Sequence, residues 1–342
     1  MVVPPPNSSP TTDSKSSAVA AARIPTIDLS GITSKRQDIS KLLVEACENY
    51  GFFKLINHGV PQDSITRVEE EAFAFFAMPT AEKLAANPSP PATNTTRFGY
   101  GIKNIGCNGD MGELEYLLLS AQPTSVSQFA LPLSKNPSNF SCALNGYIQE
   151  IKNVACELLD LMAEGLGISD TSIFSRLISD DQSDSLFRIN HYRPLPDFIN
   201  LPPSNKIGFG EHSDPQIFTI LRSNDVGGLE ISLDDGLWVP VSPDPTAYFI
   251  IIGDLFPVLT NGRFMSLTHK AVANGGPKPR MSMAYFASPS LNAWISPLQE
   301  MVTSNQPCLY RPFTWGEYKA HIYSIPLTTA SSKLDSFKNT PN

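Results

Sequence analysis

The chain has 342 residues, enough for one large domain or a core with a smaller lobe, and its 41% hydrophobic and 17% charged content is that of an ordinary soluble globule. The net charge of -8 argues against nucleic acid or an anionic membrane as a partner, and no apolar run is long enough to span a bilayer. The five cysteines include no CxxC pair, and we find no signal peptide. We therefore expect free thiols in a reducing compartment. We expect this compartment to be the cytoplasm, and the nucleus is an alternative.

The N-terminal third begins with a polar segment and continues with short helices and strands. Residues 1–23 are rich in Pro, Ser, Thr and Ala, which predicts a disordered tail. We expect residues 24–110 to form an N-terminal region, with a strand over Phe52–Ile56 and helical spacing on both sides of it. His58 follows that strand in an Asn-His-Gly turn, where stabilising the turn is a commoner role than binding a metal.

A long amphipathic helix and a series of short strands follow. Apolar residues at helical spacing between Ser141 and Gly165 predict a helix with one buried face that covers a sheet. Beyond it, turn residues punctuate eight strand-like runs. They are Ser185–Tyr192, Lys206–His212, Ile217–Leu221, Leu229–Leu233, Leu237–Val241, Ala247–Ile252, Ser266–Val272 and Met281–Ala287.

This pattern predicts a mainly β fold with flanking helices. Eight short strands joined by hairpin turns suit a double-sheet jelly roll, the double-stranded β-helix of cupin-like proteins. Gly-rich phosphate loops and alternating βα units are missing, which argues against a nucleotide-binding α/β fold. We expect residues 111–328 to form the helix-flanked core and residues 329–342 to form a loose tail.

Two residues that can ligate a metal lie two positions apart in the segment Gly208–Pro215. In an extended strand, His212 and Asp214 would point to the same face. His269 can supply a third ligand from a later strand-like run. Two histidines and one carboxylate leave the opposite face of a metal open, which is the pattern of non-haem Fe(II) oxygenases. Taken singly, His212 with Asp214 is more typical of a solvated turn, and His269 of a core or surface histidine.

A second polar pair opens the run that ends at Ala287. Arg280 and Ser282 share a face of that strand and offer a guanidinium and a hydroxyl to one carboxylate. Taken singly, an arginine such as Arg280 is most often a surface charge, and a serine such as Ser282 most often has no specific role. The ordered set of His-x-Asp, a distant His and Arg-x-Ser is far rarer by chance, and it predicts a site that holds iron and a dicarboxylate together.

The set resembles the plant 2-oxoglutarate and Fe(II)-dependent dioxygenase superfamily, over about Ile24 to about Tyr318. The run Gly51–Val60 independently resembles the N-terminal signature of that superfamily. The resemblance implies an enzyme that uses Fe(II), 2-oxoglutarate and O2, with ascorbate as reductant. His212, Asp214 and His269 would hold the iron, and Arg280 with Ser282 would hold the far carboxylate of 2-oxoglutarate. Asn190 and Tyr192 resemble co-substrate contacts, although Tyr192 can equally be an aromatic of the barrel wall.

Other stretches are close to the gibberellin 2-oxidases that act on C19 gibberellins, namely residues 208–217, 98–101, 108–110 and 260–264. This resemblance implies 2β-hydroxylation, which inactivates the hormone. Gibberellins have a carboxylate on an apolar ring skeleton. Arg97 with Tyr100 and Tyr116 is therefore our hypothesis for a substrate clamp.

Several positions depart from the usual pattern of the family. Arg193 and Leu195 stand where a Pro and a Cys are usual, Glu113 replaces a Trp, and Lys270 replaces an Arg. Pro257 removes a backbone donor, which a sheet tolerates mainly at an edge or a bulge. These departures leave the metal motif intact and the regiochemistry open.

Two alternatives remain at this point. One is a dioxygenase of the same superfamily with another substrate, such as a flavonoid, an alkaloid or a differently oxidised gibberellin. The other is a jelly-roll protein that binds without turnover, or a zinc hydrolase, because catalytic zinc also takes three protein ligands. In either case we expect a small-molecule substrate and a monomer or weak homo-oligomer.

Overall fold

A computed structural model describes residues 24–85, 87, 98–104, 111–130, 137–195, 200–201, 206–233, 236–325 and 333–339. Its strands are β1 Thr26–Asp28, β2 Phe52–Ile56, β3 Gly99–Asn104, β4 Met111–Ser120, β5 Leu186–Tyr192, β6 Ile207–His212, β7 Phe218–Ser223, β8 Leu229–Ser232, β9 Trp238–Pro240, β10 Tyr248–Ile252, β11 His269–Val272, β12 Arg280–Ala287, β13 Trp294–Ile295 and β14 Phe313–Thr314. Its α-helices are α1 Arg36–Asn49, α2 Gln62–Phe76, α3 Thr80–Ala85, α4 Pro123–Ala130, α5 Pro137–Gly165, α6 Arg176–Ser179, α7 Leu255–Leu259 and α8 Trp315–Ile322.

The eight strands expected from the sequence pair into two sheets and confirm the jelly roll. β10, β7, β12 and β5 are consecutive in a large sheet, and β6, β11, β8 and β9 form a small one. Side chains of the two sheets meet in an apolar layer that includes Leu221, Ile231, Ile251 and Ala284. Two sheets that face each other in this way enclose a space at the end of the layer where a ligand can lie.

Helices cover the outer face of the large sheet, so that β5, β7 and β10 are buried on both faces. α5 is the longest of them among the described residues, and its buried stripe includes Leu144, Ile151 and Leu158, as the sequence predicts. Gly165 ends α5 against α1. A Cβ at Gly165 would lie 2.3 Å from the carbonyl oxygen of Ser40, so the close approach requires glycine.

Four further strands extend the large sheet at both edges. β1 and β2 add to the β10 edge, while β4 and β3 add to the β5 edge. The expected boundary at residue 110 falls between β3 and β4, which pair with each other, so it does not separate two sheets. No helix in the described ranges is both long and apolar enough to cross a membrane.

The C-terminal segment packs more closely than the sequence suggests. Helix α8 begins at Trp315, after the short strand β14, and Thr314 caps it by accepting a hydrogen bond from the Glu317 N–H. Residues 333–339 fold back onto this helix, and the Phe337 ring is buried against Tyr318. The expectation of a loose tail is therefore wrong over residues 333–339. The tail expected over residues 1–23 lies outside the described residues.

A buried polar cluster joins α3, β3, β4 and β5 around the carboxylate of Glu115. That carboxylate accepts hydrogen bonds from Lys83 Nζ at 2.7 Å, Tyr100 Oη at 2.6 Å, His191 Nδ1 at 2.9 Å and Arg193 Nε at 2.8 Å. Burial raises the pKa of Glu115, but these donors outweigh burial and hold that pKa well below its ordinary value. Since the Lys83 side chain has no exposed surface, its charge depends on Glu115 for compensation.

Replacing Glu115 tests how much this cluster stabilises the fold. We expect Glu115→Gln to lower the free energy of unfolding by about 3–5 kcal/mol, because it leaves the Lys83 ammonium buried without an anion. The matched control is Glu113→Gln on the same strand, where the pair with Lys103 is partly exposed, and about 1 kcal/mol or less is expected. Urea denaturation of both variants measures the difference. Equal losses of unfolding free energy in the two variants would show that the buried cluster stabilises the fold no more than the partly exposed pair does.

Candidate active site

Three potential metal ligands converge at the edge of the small sheet where β6 ends and the next loop begins. β6 ends at His212 and β11 begins at His269, and the two residues are paired across the strands. Their imidazole ring centroids are 4.3 Å apart. Asp214 lies two residues beyond the end of β6. Its Oδ1 is nevertheless 3.5 Å from His212 Nε2 and 3.9 Å from His269 Nε2.

Hydrogen bonds orient all three side chains towards one point. His212 Nδ1 donates to the carbonyl of Gly210 at 2.7 Å, and His269 Nδ1 contacts the carbonyl of Leu267 at 3.4 Å. Because a carbonyl can only accept, each ring then has its proton on Nδ1 and a lone pair on Nε2. The Thr219 hydroxyl donates to Asp214 Oδ2, which leaves Oδ1 for a metal.

The charge states suit a divalent cation. Burial, followed by the neighbouring His212, lowers the pKa of His269 to about 4, so its imidazole is neutral and able to ligate at neutral pH. Burial raises the pKa of the Asp214 carboxyl, but the two imidazoles and Thr219 outweigh burial, and the net shift is downward. The ligand atoms lie within 4.8 Å of one another, and all three residues are buried. Two imidazole nitrogens and one carboxylate oxygen fit Fe(II).

A second set of contacts holds the backbone of the loop that contains Asp214. The Asp254 N–H donates to the carbonyl of Asp214 at 2.8 Å, and a Cβ at Gly253 would come within 2.9 Å of that same carbonyl oxygen. From the C-terminal segment, the buried Lys333 Nζ donates to the carbonyl of Ser213 at 2.9 Å. Sequence reasoning did not single out Lys333, because only the folded chain brings it to this loop.

The predicted co-substrate residues lie beside the triad on the large sheet. Register pairs Arg280 with Tyr192 and Ser282 with Asn190, so that all four side chains share one face. Arg280 is 2% exposed, donates to Ser282 Oγ at 3.3 Å and lies 4.9 Å from the centre of the Tyr192 ring. Its Nε has no partner, and no carboxylate of the described residues forms an ion pair with it. Such a buried cation is suited to receive an anionic ligand.

These groups line one cavity between the sheets. Its polar side consists of Arg188, Asn190, Tyr192, His212, Asp214, Thr219, His269, Lys270, Arg280 and Ser282. Its apolar side consists of Phe209, Leu221, Leu229, Ile251, Ala271, Ala284 and Phe286. A cavity with a few convergent polar groups and an otherwise apolar wall is typical of a small-molecule site.

The substrate clamp expected from the sequence is only partly present. Arg97 lies outside the described residues. The hydroxyl of Tyr100 is taken up by Glu115, and Tyr100 does not line the cavity, so the structure does not support it as a substrate contact. Tyr116 lies close to the cavity, because its ring packs against the guanidinium of Arg188, with Cζ 3.9 Å from the ring centre.

Arg188 is the cavity residue that sequence reasoning missed. It is 7% exposed and lines the cavity from β5, on the same face as Asn190 and Tyr192. The signal was present in the alternation of that strand, since Arg188 stands two residues before Asn190.

Three of the departures from the family pattern have local explanations. Arg193 donates to Glu115, and Lys270 pairs with Glu230 at 3.2 Å and lies over the Trp238 ring. Pro257 lies in the first turn of helix α7, where its missing N–H is tolerated. The expectation of an edge or bulge at Pro257 is therefore wrong.

Comparison with known families supports the interpretation of the site. Residues 183–289 match the 2OG-Fe(II) oxygenase superfamily, and residues 24–128 match the family described as non-haem dioxygenase in morphine synthesis N-terminal. The first range contains the three triad residues together with Arg188, Arg280 and Ser282.

Similar proteins cover nearly the whole chain. Gibberellin 2-beta-dioxygenase 4 of Arabidopsis thaliana is 49% identical, over 92% of this chain and 94% of that protein. Gibberellin 2-beta-dioxygenase 1 of Pisum sativum is 46% identical, over 93% and 91%. The crystal structure of JOX2 in complex with 2OG, Fe and JA superimposes with a TM-score of 0.78 at 27% identity, over 93% of this chain and 89% of that one. The chain belongs to the 2OG-Fe(II) oxygenase superfamily and, within it, to the gibberellin 2-beta-dioxygenase family.

Proposed function

We propose that this protein is a 2-oxoglutarate- and Fe(II)-dependent dioxygenase that hydroxylates C19 gibberellins at the 2β position and thereby inactivates them. The observation that supports the reaction class is a buried His-Asp-His triad beside a buried arginine that no carboxylate of the described residues neutralises. The gibberellin substrate is supported by identities of 41–49% to gibberellin 2-beta-dioxygenases over most of the chain.

The triad and the residues predicted to hold the co-substrate have tasks that follow from their geometry. His212, Asp214 and His269 would hold the metal, and Thr219 fixes the carboxylate that would ligate it. When bound, the iron supplies oxygen activation coupled to oxidative decarboxylation of 2-oxoglutarate. Arg280 binds the distal carboxylate of 2-oxoglutarate, assisted by Ser282, and so sets the position of the co-substrate. The apolar wall excludes water and presents one C–H bond of the substrate.

Arg280 also separates this function from the hydrolase alternative. A zinc hydrolase would need three ligands and a water, but it would not need a buried guanidinium positioned for a dicarboxylate. The cost of burying an arginine without an anion is offset only when a ligand brings the missing charge.

The direct test is turnover of a C19 gibberellin under air with Fe(II), 2-oxoglutarate and ascorbate. We expect succinate to form in step with a product that has gained one oxygen atom, identified as the 2β-hydroxy compound by mass spectrometry and an authentic standard. A C20 gibberellin and a flavonoid serve as comparison substrates. Coupled turnover of the flavonoid alone would overturn the proposal of a gibberellin substrate. Hydrolysis without O2 consumption would overturn the proposed reaction class.

Removing the carboxylate ligand tests the metal site. Asp214→Ala should bind Fe(II), or Mn(II) as an air-stable substitute, at least about tenfold more weakly in calorimetry, because one of three ligands and its charge are lost. Succinate formation should fall with it. His321→Ala is the matched control, since His321 contacts Phe337 and lies outside the triad. Unchanged metal affinity in Asp214→Ala would contradict the assignment.

Substitution of Arg280 by lysine tests the co-substrate anchor. Arg280→Lys keeps the charge but loses the two-pronged geometry, so we expect the KM for 2-oxoglutarate to rise roughly tenfold to a hundredfold. Metal affinity measured without 2-oxoglutarate should stay unchanged. The exposed Arg311→Lys is the control. If Arg280→Lys weakened metal binding but left that KM unaltered, the anchor would have to be sought elsewhere.

A further inference from the structure

Arg188 is a second buried arginine in the cavity, and the reaction described so far gives it no task. Its Nε donates to Asn190 Oδ1 at 2.8 Å, whereas its terminal NH2 group is buried and has no hydrogen-bond partner. Burial lowers the pKa of its guanidinium, as expected for a cation without a counter-ion.

Another arginine of the same sheet shows how this chain treats a cation whose role is structural. Arg222, on β7, which β12 separates from β5, is 4% exposed and forms an ion pair with Glu69. Arg188 is almost equally buried, yet no carboxylate of the described residues forms an ion pair with it. A purely structural role would leave the cost of its burial without compensation.

The guanidinium of Arg188 is held rigidly and close to the metal site. Its Cζ lies 3.9 Å from the centre of the Tyr116 ring and 4.9 Å from that of Phe209. The Phe209 ring in turn lies 4.4 Å from the His212 ring. Two aromatic rings therefore fix the plane of the guanidinium beside a metal ligand, while its terminal NH2 group remains free to donate.

The charge of the filled site requires one more anion. Arg188 and Arg280 are positive and Asp214 is negative, while Glu230 neutralises Lys270. The two charges of Fe(II) and the two of the 2-oxoglutarate dianion cancel each other. One positive charge then remains in a buried site, and Arg280 is already engaged by the co-substrate. A substrate with a single carboxylate would restore neutrality.

We infer that Arg188 binds the carboxylate of the substrate and that the site selects apolar monocarboxylates. The inference rests on the proposed function and deepens it. C19 gibberellins fit the class, because they have a carboxylate on an apolar ring skeleton. Arg188 takes the role that the sequence suggested for Arg97, and Tyr116 contributes by orienting Arg188.

The test compares a C19 gibberellin with its methyl ester, which has the same skeleton without the negative charge. Binding is measured by calorimetry, without O2, to protein loaded with Mn(II) and 2-oxoglutarate, so that the readout does not depend on turnover. The wild-type protein should bind the acid roughly tenfold to a hundredfold more tightly than the ester. Arg188→Met should reduce that ratio to about one, while the affinities for Mn(II) and 2-oxoglutarate stay unchanged.

Arg280→Met is the matched control, because it removes the other buried guanidinium of the cavity. It should weaken 2-oxoglutarate binding and retain the preference for the acid when the co-substrate is saturating. If Arg188→Met fails to fold, as judged by thermal unfolding, Arg188→Gln replaces it. The acid-to-ester ratio of the wild-type protein decides without any variant, because equal binding overturns the inference.

Two other results also overturn the inference: an acid preference that survives in Arg188→Met, or a loss of 2-oxoglutarate affinity in Arg188→Met comparable to that in Arg280→Met. If the wild-type protein binds neither gibberellin compound, the proposed substrate fails, and the inference is then decided separately. Cyclohexanecarboxylate and its uncharged carboxamide then become the probes. The ratio of their affinities is measured in the wild-type protein, Arg188→Met and Arg280→Met, and it is judged as the acid-to-ester ratio is.

Discussion

The site depends on the pairing of β6 with β11, which sets His212 directly opposite His269. This single register brings the ring centroids of two buried imidazoles to 4.3 Å from each other, and burial lowers the pKa of His269. Two backbone carbonyls fix the rings, and the Asp214 carboxylate completes the set. A slip of one residue would turn one histidine to the opposite face of the small sheet and remove the site.

The jelly roll suits this arrangement because its two sheets contribute different groups. The small sheet and the loop after β6 supply the metal ligands. The large sheet supplies the guanidiniums of Arg188 and Arg280. Both guanidiniums lack an anionic partner among the residues described, whereas Arg222 and Lys83 have theirs in Glu69 and Glu115. Of these four buried cations, the two with structural roles are compensated by a carboxylate, and the two that line the cavity are left for anionic ligands.

Much of this could be predicted from the sequence. Turn residues and short apolar runs gave the eight strands, and the spacing of His212, Asp214, His269, Arg280 and Ser282 identified the centre, because strand alternation is a local property. Contacts that depend on the folded chain could not be predicted. Lys333 reaches Ser213 from far along the chain, and Tyr100 binds Glu115 through pairing of neighbouring strands. Arg188 was visible on the face of Asn190, but its lack of a partner appears only in three dimensions.

The most direct measurement of the central claim is the position of the metal itself. Crystals soaked with Fe(II) and 2-oxoglutarate without O2 can be measured by anomalous diffraction at the iron absorption edge. The account predicts one dominant peak between His212 Nε2, His269 Nε2 and Asp214 Oδ1, with the distal carboxylate of 2-oxoglutarate on Arg280. A peak elsewhere, or a co-substrate that lies away from Arg280, would contradict it.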